Sequence, residues 1–402
     1  MLRVEPASRR HSASATTSAS NRPSVVVIVS FMNPAGAQLS ALRVARGLVS
    51  RGWSVELWFL YKVGEGDFSG LPQRVFHDGA HPTTAERLRV GLSVVAALRR
   101  ARPDAVLSFL PFASVVGQMA ALLARVPSRI ASLRSPPATF RSGIRFLDKL
   151  CGSTGVYTGI VAVSDAVAQS IQSYPESYQR RVCVVHNGVD MNDCVDAPTH
   201  SRASLGFPSE GPVALVVGRL SAQKNHAFVL DIAARLDTVV VVCVGDGPDR
   251  AVIERDIASR NLGNRVRLLG ELPAVRMPAV YRAADFFLQP SVFEGQSNAL
   301  LEAMAAGLPV VVSDVPTQAE TVVDGAETWG TVLPLEDPAR WAAELERLAT
   351  DALYREQMGC RAAKRAAAFP IVRQIDGFET VLCEGTVHQT TAHRSPPRPR
   401  EG

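Results

Sequence analysis

Short apolar runs, each followed by a turn and then by residues at helical spacing, recur along the chain. The first is SVVVIVSF at 24–31. It leads through MNPAGAQ into LSALRVARGLVSRG, where Leu39, Leu42, Val44, Ala45 and Leu48 share a face. A run with no polar alternation suits a strand covered on both faces, hence a parallel sheet. The pattern continues with strands at VELWFL, near 105–109 and near 129–133, and helices at about 84–101 and 114–124. GIVAV at 159–163 is a strand leading into SDAVAQSIQ, a helix with Ser164 as its N-cap, and RVCVVHNGVD at 181–190 closes the set with a strand and a turn. PVALVVGRL at 212–220 then restarts it. The second set passes through HAFVLDIAARL, TVVVVCVGDGP, AVIERDIASRN, RVRLLGEL, MPAVYRAA, DFFLQPS and LPVVVSD. A strand near 331–334 and helices at 338–349 and 351–368 end it. Two such sets predict an α/β chain of two doubly wound domains facing across a cleft, joined near 188–198.

A length of 402 residues allows two separate cores. The net charge of +5 is uneven: residues 1–200 carry 22 Lys and Arg against 13 Asp and Glu, residues 201–402 carry 21 against 25. A basic N-terminal half fits an anionic membrane surface or a phosphorylated substrate; an Arg-rich solvated surface fits it equally. Nothing here points to nucleic acid. Residues 87–102, RLRVGLSVVAALRRAR, interleave cations with apolar side chains. That suits either a helix lying on a membrane or a core helix with solvated arginines. AVLSFLPFASVVGQMAALLA at 105–124 has no charge, but Pro111, Gln118 and the serines divide it into a strand, a turn at Leu110-Pro111 and a buried helix. The N-terminus lacks the apolar core of a secretory signal. The six cysteines, at 151, 183, 194, 243, 360 and 383, contain no C-x-x-C pair and are expected to be buried thiols of a cytoplasmic protein.

Three nucleotide signatures can be tested. No G-x-x-x-x-G-K is present. G-x-G-x-x-G is only half-present at Gly245-Asp246-Gly247, with Arg250 in the third glycine position. No D-x-D occurs, so a metal-held diphosphate is not indicated. Gly218-Arg219-Leu220-Ser221-Ala222-Gln223-Lys224 follows a buried strand, and its two cations can reach one diphosphate. After another strand of the same half comes SVFEGQSNALLEAMAAG at 291–307. Here Gly295, Gln296, Ser297 and Asn298 enter a helix whose free amides suit an anion, with Ser297 as N-cap. Glu302, about one and a half turns in, leans back toward that helix start. Ionised carboxylates accept from hydroxyls, so Glu294 and Glu302 suit the sugar and ribose of a ligand whose diphosphate meets the cations.

GRLSAQK together with EGQSNALLEAMAAG resembles the retaining GT-B glycosyltransferases, specifically glycosyltransferase family 4, whose signature is E-x7-E preceded by G-R-L-x-x-x-K. The likeness extends to AGAQLSALRVARGLVSRGWSVEL, VAVSDAVAQSI, HNGVD and VGDGP, over roughly residues 24–385. It implies the GT-B fold, two Rossmann-like domains. Residues 24–190 would form the acceptor domain and 191–370 the donor domain. A C-terminal helix at 371–385 would pack back on the N-terminal domain, and 1–23 and 386–402 are expected to be disordered.

The resemblance implies a nucleoside-diphosphate-sugar donor and a sugar or lipid-linked sugar acceptor, with no cofactor and no metal. Arg219 and Lys224 would hold the diphosphate, Glu294 the transferred sugar and Glu302 the ribose. Catalysis would rest on Arg219, Lys224 and Glu294, with Gly218 in the same loop. Gly36 would approach the donor or acceptor, and Leu272 would lie near the base. The family often has Gly-Gly where this chain reads Ala35-Gly36, and Ala35 would restrict the loop if φ > 0 were needed there. Many members carry a histidine where this chain reads Ile130-Ala131-Ser132-Leu133-Arg134, so Arg134 is the candidate substrate contact, or else a buried structural arginine. His186 is expected in the interdomain turn. The implied activity serves polysaccharide, glycolipid or other glycoconjugate synthesis, at the cytoplasmic membrane face or in the cytoplasm. A nucleotide-sugar epimerase or hydrolase on a similar fold, and a non-catalytic nucleotide-sugar-binding protein, are the rival readings.

Overall fold

A computed structural model of the chain describes residues 22–384 except 34, 65–67, 80, 81 and 192–200. The two terminal segments, Cys194 and most of the expected 188–198 joint lie outside the described residues.

The N-terminal sheet has seven strands: β1 (Ser24–Met32), β2 (Ser54–Lys62), β3 (Gln73–Val75), β4 (Ala105–Phe109), β5 (Ser128–Leu133), β6 (Gly159–Ala162) and β7 (Val182–Val184). Their order is β3-β2-β1-β4-β5-β6-β7, with every described pairing parallel. Helices α1 (Gly36–Ser50), α2 (Thr84–Ala101), α3 (Pro111–Leu123), α4 (Ser142–Thr154), α5 (Asp165–Gln169) and α6 (Glu176–Gln179) connect them. Val27, Ile28 and Val29 are fully buried because α1 covers one face of β1 and α2 with α3 the other. That double cover is what an unbroken apolar strand requires. α2 starts on a capping box: Glu86 N–H donates to Thr83 Oγ1, and the Glu86 side chain accepts from Thr83 N–H.

The second sheet has six strands. They are β8 (Val213–Val217), β9 (Val240–Val244), β10 (Val266–Gly270), β11 (Phe286–Gln289), β12 (Val310–Ser313) and, after a short β13–β14 hairpin (Val323–Asp324 and Glu327–Thr328), β15 (Thr331–Leu333). The order is β10-β9-β8-β11-β12-β15. Its helices are α7 (His226–Ala233), α8 (Arg250–Ser259), α9 (Met277–Ala283), α10 (Asn298–Ala305), α11 (Pro316–Val322), α12 (Pro338–Thr350) and α13 (Ala352–Ala366). In both sheets the strand order reverses beside the first strand, at β1/β4 in one and β8/β11 in the other. Open α/β sheets form ligand crevices at such points, outside the carboxyl ends of the strands.

The chain returns to the N-terminal domain through α14 (Ile371–Glu384). Phe378 is fully buried, its ring 5.8 Å from that of Phe109, with Val381 and Leu382 in the same core. Arg51 pairs with Asp376 and with Glu379 (2.6 Å), and Trp53 Nε1 donates to Glu379 (2.9 Å). The two interdomain crossings run side by side: Val189 N–H donates to Phe369 O (2.9 Å) and Ile371 N–H to Val189 O (3.1 Å).

Three expectations change. Ala35 has φ −96° and ψ 164°, ordinary extended backbone, so the loop before α1 needs no second glycine. The cysteines are not uniformly buried: Cys151 and Cys243 are, Cys183 is partly so, and Cys360 and Cys383 are exposed. α4 is an element that apolar spacing does not announce.

Buried on α4, Asp148 accepts from Tyr157 Oη (3.1 Å) and Tyr178 Oη (2.9 Å). Burial pushes its carboxyl up to about 6, outweighing the two tyrosine bonds that lower it. A folded value above the unfolded one means that the stabilising proton is fully held below about pH 4. This contribution, on the order of 3 kcal/mol, is lost as the pH rises through about 6. Asp148→Asn keeps an acceptor for one tyrosine and a donor for the other. It is expected to raise the Tm at neutral pH and to flatten its decline between about pH 4 and 6, checked by thermal melts across that range.

Candidate active site

The loops after β8 and β11 lie side by side because these strands are neighbours, pairing Ala214 with Phe286. Val292 N–H donates to Gln223 O (2.9 Å), and Gln223 Nε2 donates to Phe293 O (3.1 Å) and Glu294 Oε2 (3.2 Å). The R…K loop and the first glutamate of E-x7-E therefore form one unit. Gly218 turns the chain out of β8 at φ +148°, a region open to glycine, and the Lys224 side chain folds back over it. Lys224 Nζ then meets Glu294 Oε1 at 2.7 Å, with side chains only 13% and 8% exposed. Arg219 projects into solvent, with no hydrogen-bond partner for its guanidinium among the described residues. Gly245-Asp246-Gly247 is a close-packed turn against this loop: Leu220 N–H donates to Asp246 O (3.0 Å) and Asp249 N–H to Leu220 O (3.1 Å).

Glu294 also accepts from Gln289 Nε2 (3.1 Å), and Gln289 Oε1 accepts from Ser297 Oγ (3.0 Å). Ser297 caps α10, accepting from Leu300 N–H (3.3 Å). The N–H groups of Gly295, Gln296, Ser297 and Asn298 find no acceptor among the described residues. A buried carboxylate–lysine pair thus adjoins a helix start with unused donors, which favours negative charge.

The same segment closes onto the N-terminal domain. Gln296 accepts from Asn187 N–H through its side chain and from Asn187 Nδ2 through its carbonyl (2.7 Å). Asn298 Nδ2 donates to Gly36 O (3.1 Å). Gly295 lies so close to Arg134 that a Cβ there would sit 1.9 Å from the Arg134 carbonyl oxygen. Glu302 receives Arg43 Nη2 from α1 (2.9 Å) and Tyr281 Oη from α9 (3.0 Å), while Arg43 Nη1 donates to Gly188 O (3.0 Å). Both glutamates are therefore matched by cations, one from each domain.

Arg134 donates to Asn187 Oδ1 (2.6 Å) and Ser40 Oγ (3.2 Å) and stacks over Phe109, 5.7 Å from the ring centroid. Burial, reinforced by nearby Arg43, pulls its guanidinium down to about 9, so it remains a cation at neutral pH. Its Nη1 is enclosed and without a partner among the described residues. His186 points to the other side of the crossing, where Nε2 meets Glu320 Oε1 (2.9 Å) and lies 3.7 Å from Asp165. Glu320 also accepts the N–H groups of Asp165 and Ala166, capping α5 from the other domain. This cluster lines a cavity of about 510 Å³, away from the Lys224–Glu294 pair.

Of the residues singled out from sequence, Lys224, Glu294 and Ser297 are tied into one network, and Gly36, Gly295, Gln296, Asn298 and Glu302 into the interdomain contact. Leu272 packs at the edge of the C-terminal core. Arg43, Asn187, Tyr281 and Gln289 were not anticipated. A signal for Arg43 did exist: two partly buried carboxylates need two cations, and Lys224 serves one.

Residues 34–193 match the model for Glycosyltransferase Family 4, and residues 199–365 that for Glycosyl transferases group 1. A D-inositol 3-phosphate glycosyltransferase of Corynebacterium diphtheriae is 36% identical over 191 residues, 45% of this chain and 44% of that protein. The Bacillus subtilis protein EpsF is 30% identical over 247 residues, 58% and 62% of the two chains. The match thus spans about half the length of these curated relatives. Anabaena Alr3699/HepE, whose crystal structure holds UDP and glucose, superposes with a TM-score of 0.78 at 21% identity, covering 90% of this chain and 100% of that one.

Proposed function

The chain belongs to the family-4 glycosyltransferases of the GT-B fold, and from that premise we propose that it transfers a sugar from a nucleoside-diphosphate donor to an acceptor hydroxyl, with retention and without a metal. The observation that carries this reading is the buried Lys224–Glu294 pair beside the open amides of Gly295–Asn298. Lys224 spends one of its three N–H donors on Glu294 and keeps two for the diphosphate. Arg219, free in solvent, completes the clamp. As the glycosidic bond breaks, these donors and the helix amides oppose the charge growing on the leaving diphosphate. Glu294 accepts from a hydroxyl of the transferred sugar, and Glu302, steadied by Arg43 and Tyr281, accepts from the ribose. With Glu294 paired to Lys224 and Glu302 to Arg43, the leaving phosphate takes the acceptor proton. Gly36 lines the donor side of the cleft and Leu272 the base side. Arg134 acts as a positioning residue, holding Asn187 against Gln296.

The domain limits proposed are 24–190 and 191–370, with 371–385 joined to the first domain. Among the described residues, no helix is long and apolar enough to cross a membrane. A cytoplasmic enzyme acting at the inner membrane face is proposed, on a sugar or lipid-linked sugar acceptor.

A panel of UDP- and GDP-sugars tests the reading, with UDP-glucose, named with a structure of the Anabaena neighbour, tried first. Nucleoside-diphosphate release should rise when an acceptor-bearing membrane extract is added, persist in EDTA, and yield a product of unchanged anomeric configuration. Epimerised or hydrolysed donor alone would favour the rival enzymes, and binding without turnover a carrier protein. Glu302→Gln should raise the donor KM about tenfold, with a smaller change in kcat, because ribose contacts serve ground and transition states alike. An unchanged KM would remove Glu302 from the donor site.

A further inference from the structure

One side of the N-terminal sheet is covered by three adjacent helices, α2, α3 and α4. α3 packs against both neighbours, and Arg99 Nη2 of α2 donates to Leu123 O at the end of α3 (3.3 Å). Their inner faces fill the core, but their outer faces are not polar. Leu88, Leu92, Met119, Leu123, Phe146 and Leu150 are 46–67% exposed. Together with Leu122 and Leu147, they make up half of the sixteen large apolar side chains found exposed among the described residues. Single exposed apolar residues are ordinary; a concentration on one layer marks an interaction surface.

The charge on this layer has one sign. The helices α2, α3 and α4 contain six Lys and Arg against two Asp and Glu, and of the two acids Asp148 is buried and Glu86 is held in the α2 capping box. Exposed cations stand next to exposed apolar groups: Arg89 follows Leu88, Arg145 precedes Phe146, and Arg125 closely follows Leu123. A protein interface concentrates apolar groups in its core and removes charge from it. A symmetric pairing of two copies through this layer would set cations against cations. A face in which arginines and apolar side chains alternate suits an anionic bilayer. There the apolar tips sink below the headgroups while the guanidinium groups stay level with the phosphates.

We propose that the outer face of α2, α3 and α4 is a docking surface for an anionic lipid bilayer. The three helices begin at the carboxyl ends of the strands, the end at which the cleft lies. Docking through this layer holds the cleft beside the headgroups, which suits an amphiphilic acceptor whose hydroxyl stands at the membrane surface. The acceptor class rests on the transferase reading; the docking surface does not.

The test uses the full chain with vesicles of phosphatidylcholine alone or with about 30% phosphatidylglycerol, scored by co-sedimentation. The protein should sediment with the anionic vesicles only, and about 0.5 M NaCl should release most of it. Phe146→Ser with Leu150→Ser, and separately Arg89→Glu with Arg145→Glu, should each lower the bound-to-free ratio about tenfold while thermal melts stay as in the wild type. These changes are on solvent-exposed positions remote from the donor network, so nucleoside-diphosphate release in detergent solution should be unaffected. Equal binding to neutral vesicles, no binding by the wild type, wild-type binding by both variants, or a dimer split by the serine variant would each overturn the proposal. Failure of donor turnover in the wild type would instead remove the transferase reading and leave the vesicle result standing.

Discussion

Lys224→Ala is expected to lower donor turnover by about 10²–10³-fold, the usual loss when one preorganised donor to a developing anion is removed. A second effect accompanies it. The Lys224 and Glu294 side chains are 13% and 8% exposed, so deletion leaves Glu294 as an enclosed carboxylate whose partners among the described residues are the Gln223 and Gln289 amides. Breaking a buried pair from one side costs about 3–5 kcal/mol, whereas replacing both partners is far milder. The single variant should therefore also melt lower, by about 6–20 °C for a domain of this size. Lys224→Met combined with Glu294→Gln separates the two effects. The introduced amide can accept from one of the two glutamines, Gln223 or Gln289, while the charge disappears, so much of the stability should return and activity should not. Recovery of both would show that the lysine serves the fold alone, and loss of neither in the single variant would end its assignment to the site.

Gly295→Ala should be nearly as damaging for a different reason. The added methyl would meet the Arg134 carbonyl oxygen at 1.9 Å, its carbon at 2.9 Å and Val163 Cγ1 at 3.1 Å. Two of these are backbone atoms, so the loops themselves must part. That parting breaks the Gln296–Asn187 bonds and shifts the start of α10 relative to the N-terminal domain. A displacement of about 1 Å in a catalytic arrangement can cost about 10²-fold in rate, which is the expected loss in kcat/KM. Each domain keeps its own core, so the melting temperature should move much less than in Lys224→Ala. Small-angle scattering should report a larger radius of gyration. Gly36→Ala is the steric contrast: its methyl would meet nothing nearer than Asn298 Nδ2 at 4.0 Å, so the domain spacing should be unchanged. Full activity in Gly295→Ala would mean that the contact opens during turnover.

The parallel architecture was readable because β1, β8 and β9 are covered on both faces and so lack polar alternation. α4 escaped because it reverses the usual pattern: it buries Asp148, Cys151 and Gly152 and exposes Phe146, Leu147 and Leu150. β3 is three exposed residues and carries no apolar signal. At the site, the residues close to one another in sequence were legible: the R…K loop, the capped helix start and the two glutamates. Their partners were not. Arg43 is 259 residues from Glu302 and Asn187 is 109 from Gln296, and neither spacing nor composition encodes a contact made across a cleft. The puzzle of two carboxylates beside an anion-attracting helix was visible in the sequence; half of its answer lay in the other domain.

The return of α14 to the first domain bears on how this chain could be cut or recombined. Phe378, Val381 and Leu382 complete a core begun by residues some three hundred positions earlier, and Arg51 and Trp53 hold the helix from outside. A fragment ending near residue 190 would carry an open apolar furrow along α1, and one beginning there would carry the helix meant to fill it. A chimera that exchanges the C-terminal half for that of a relative therefore needs two joints, one on each of the adjoining crossings at Val189 and Pro370. With both cuts made, the C-terminal half becomes an insertion within the N-terminal half and the transplanted boundary falls where the two crossings already touch.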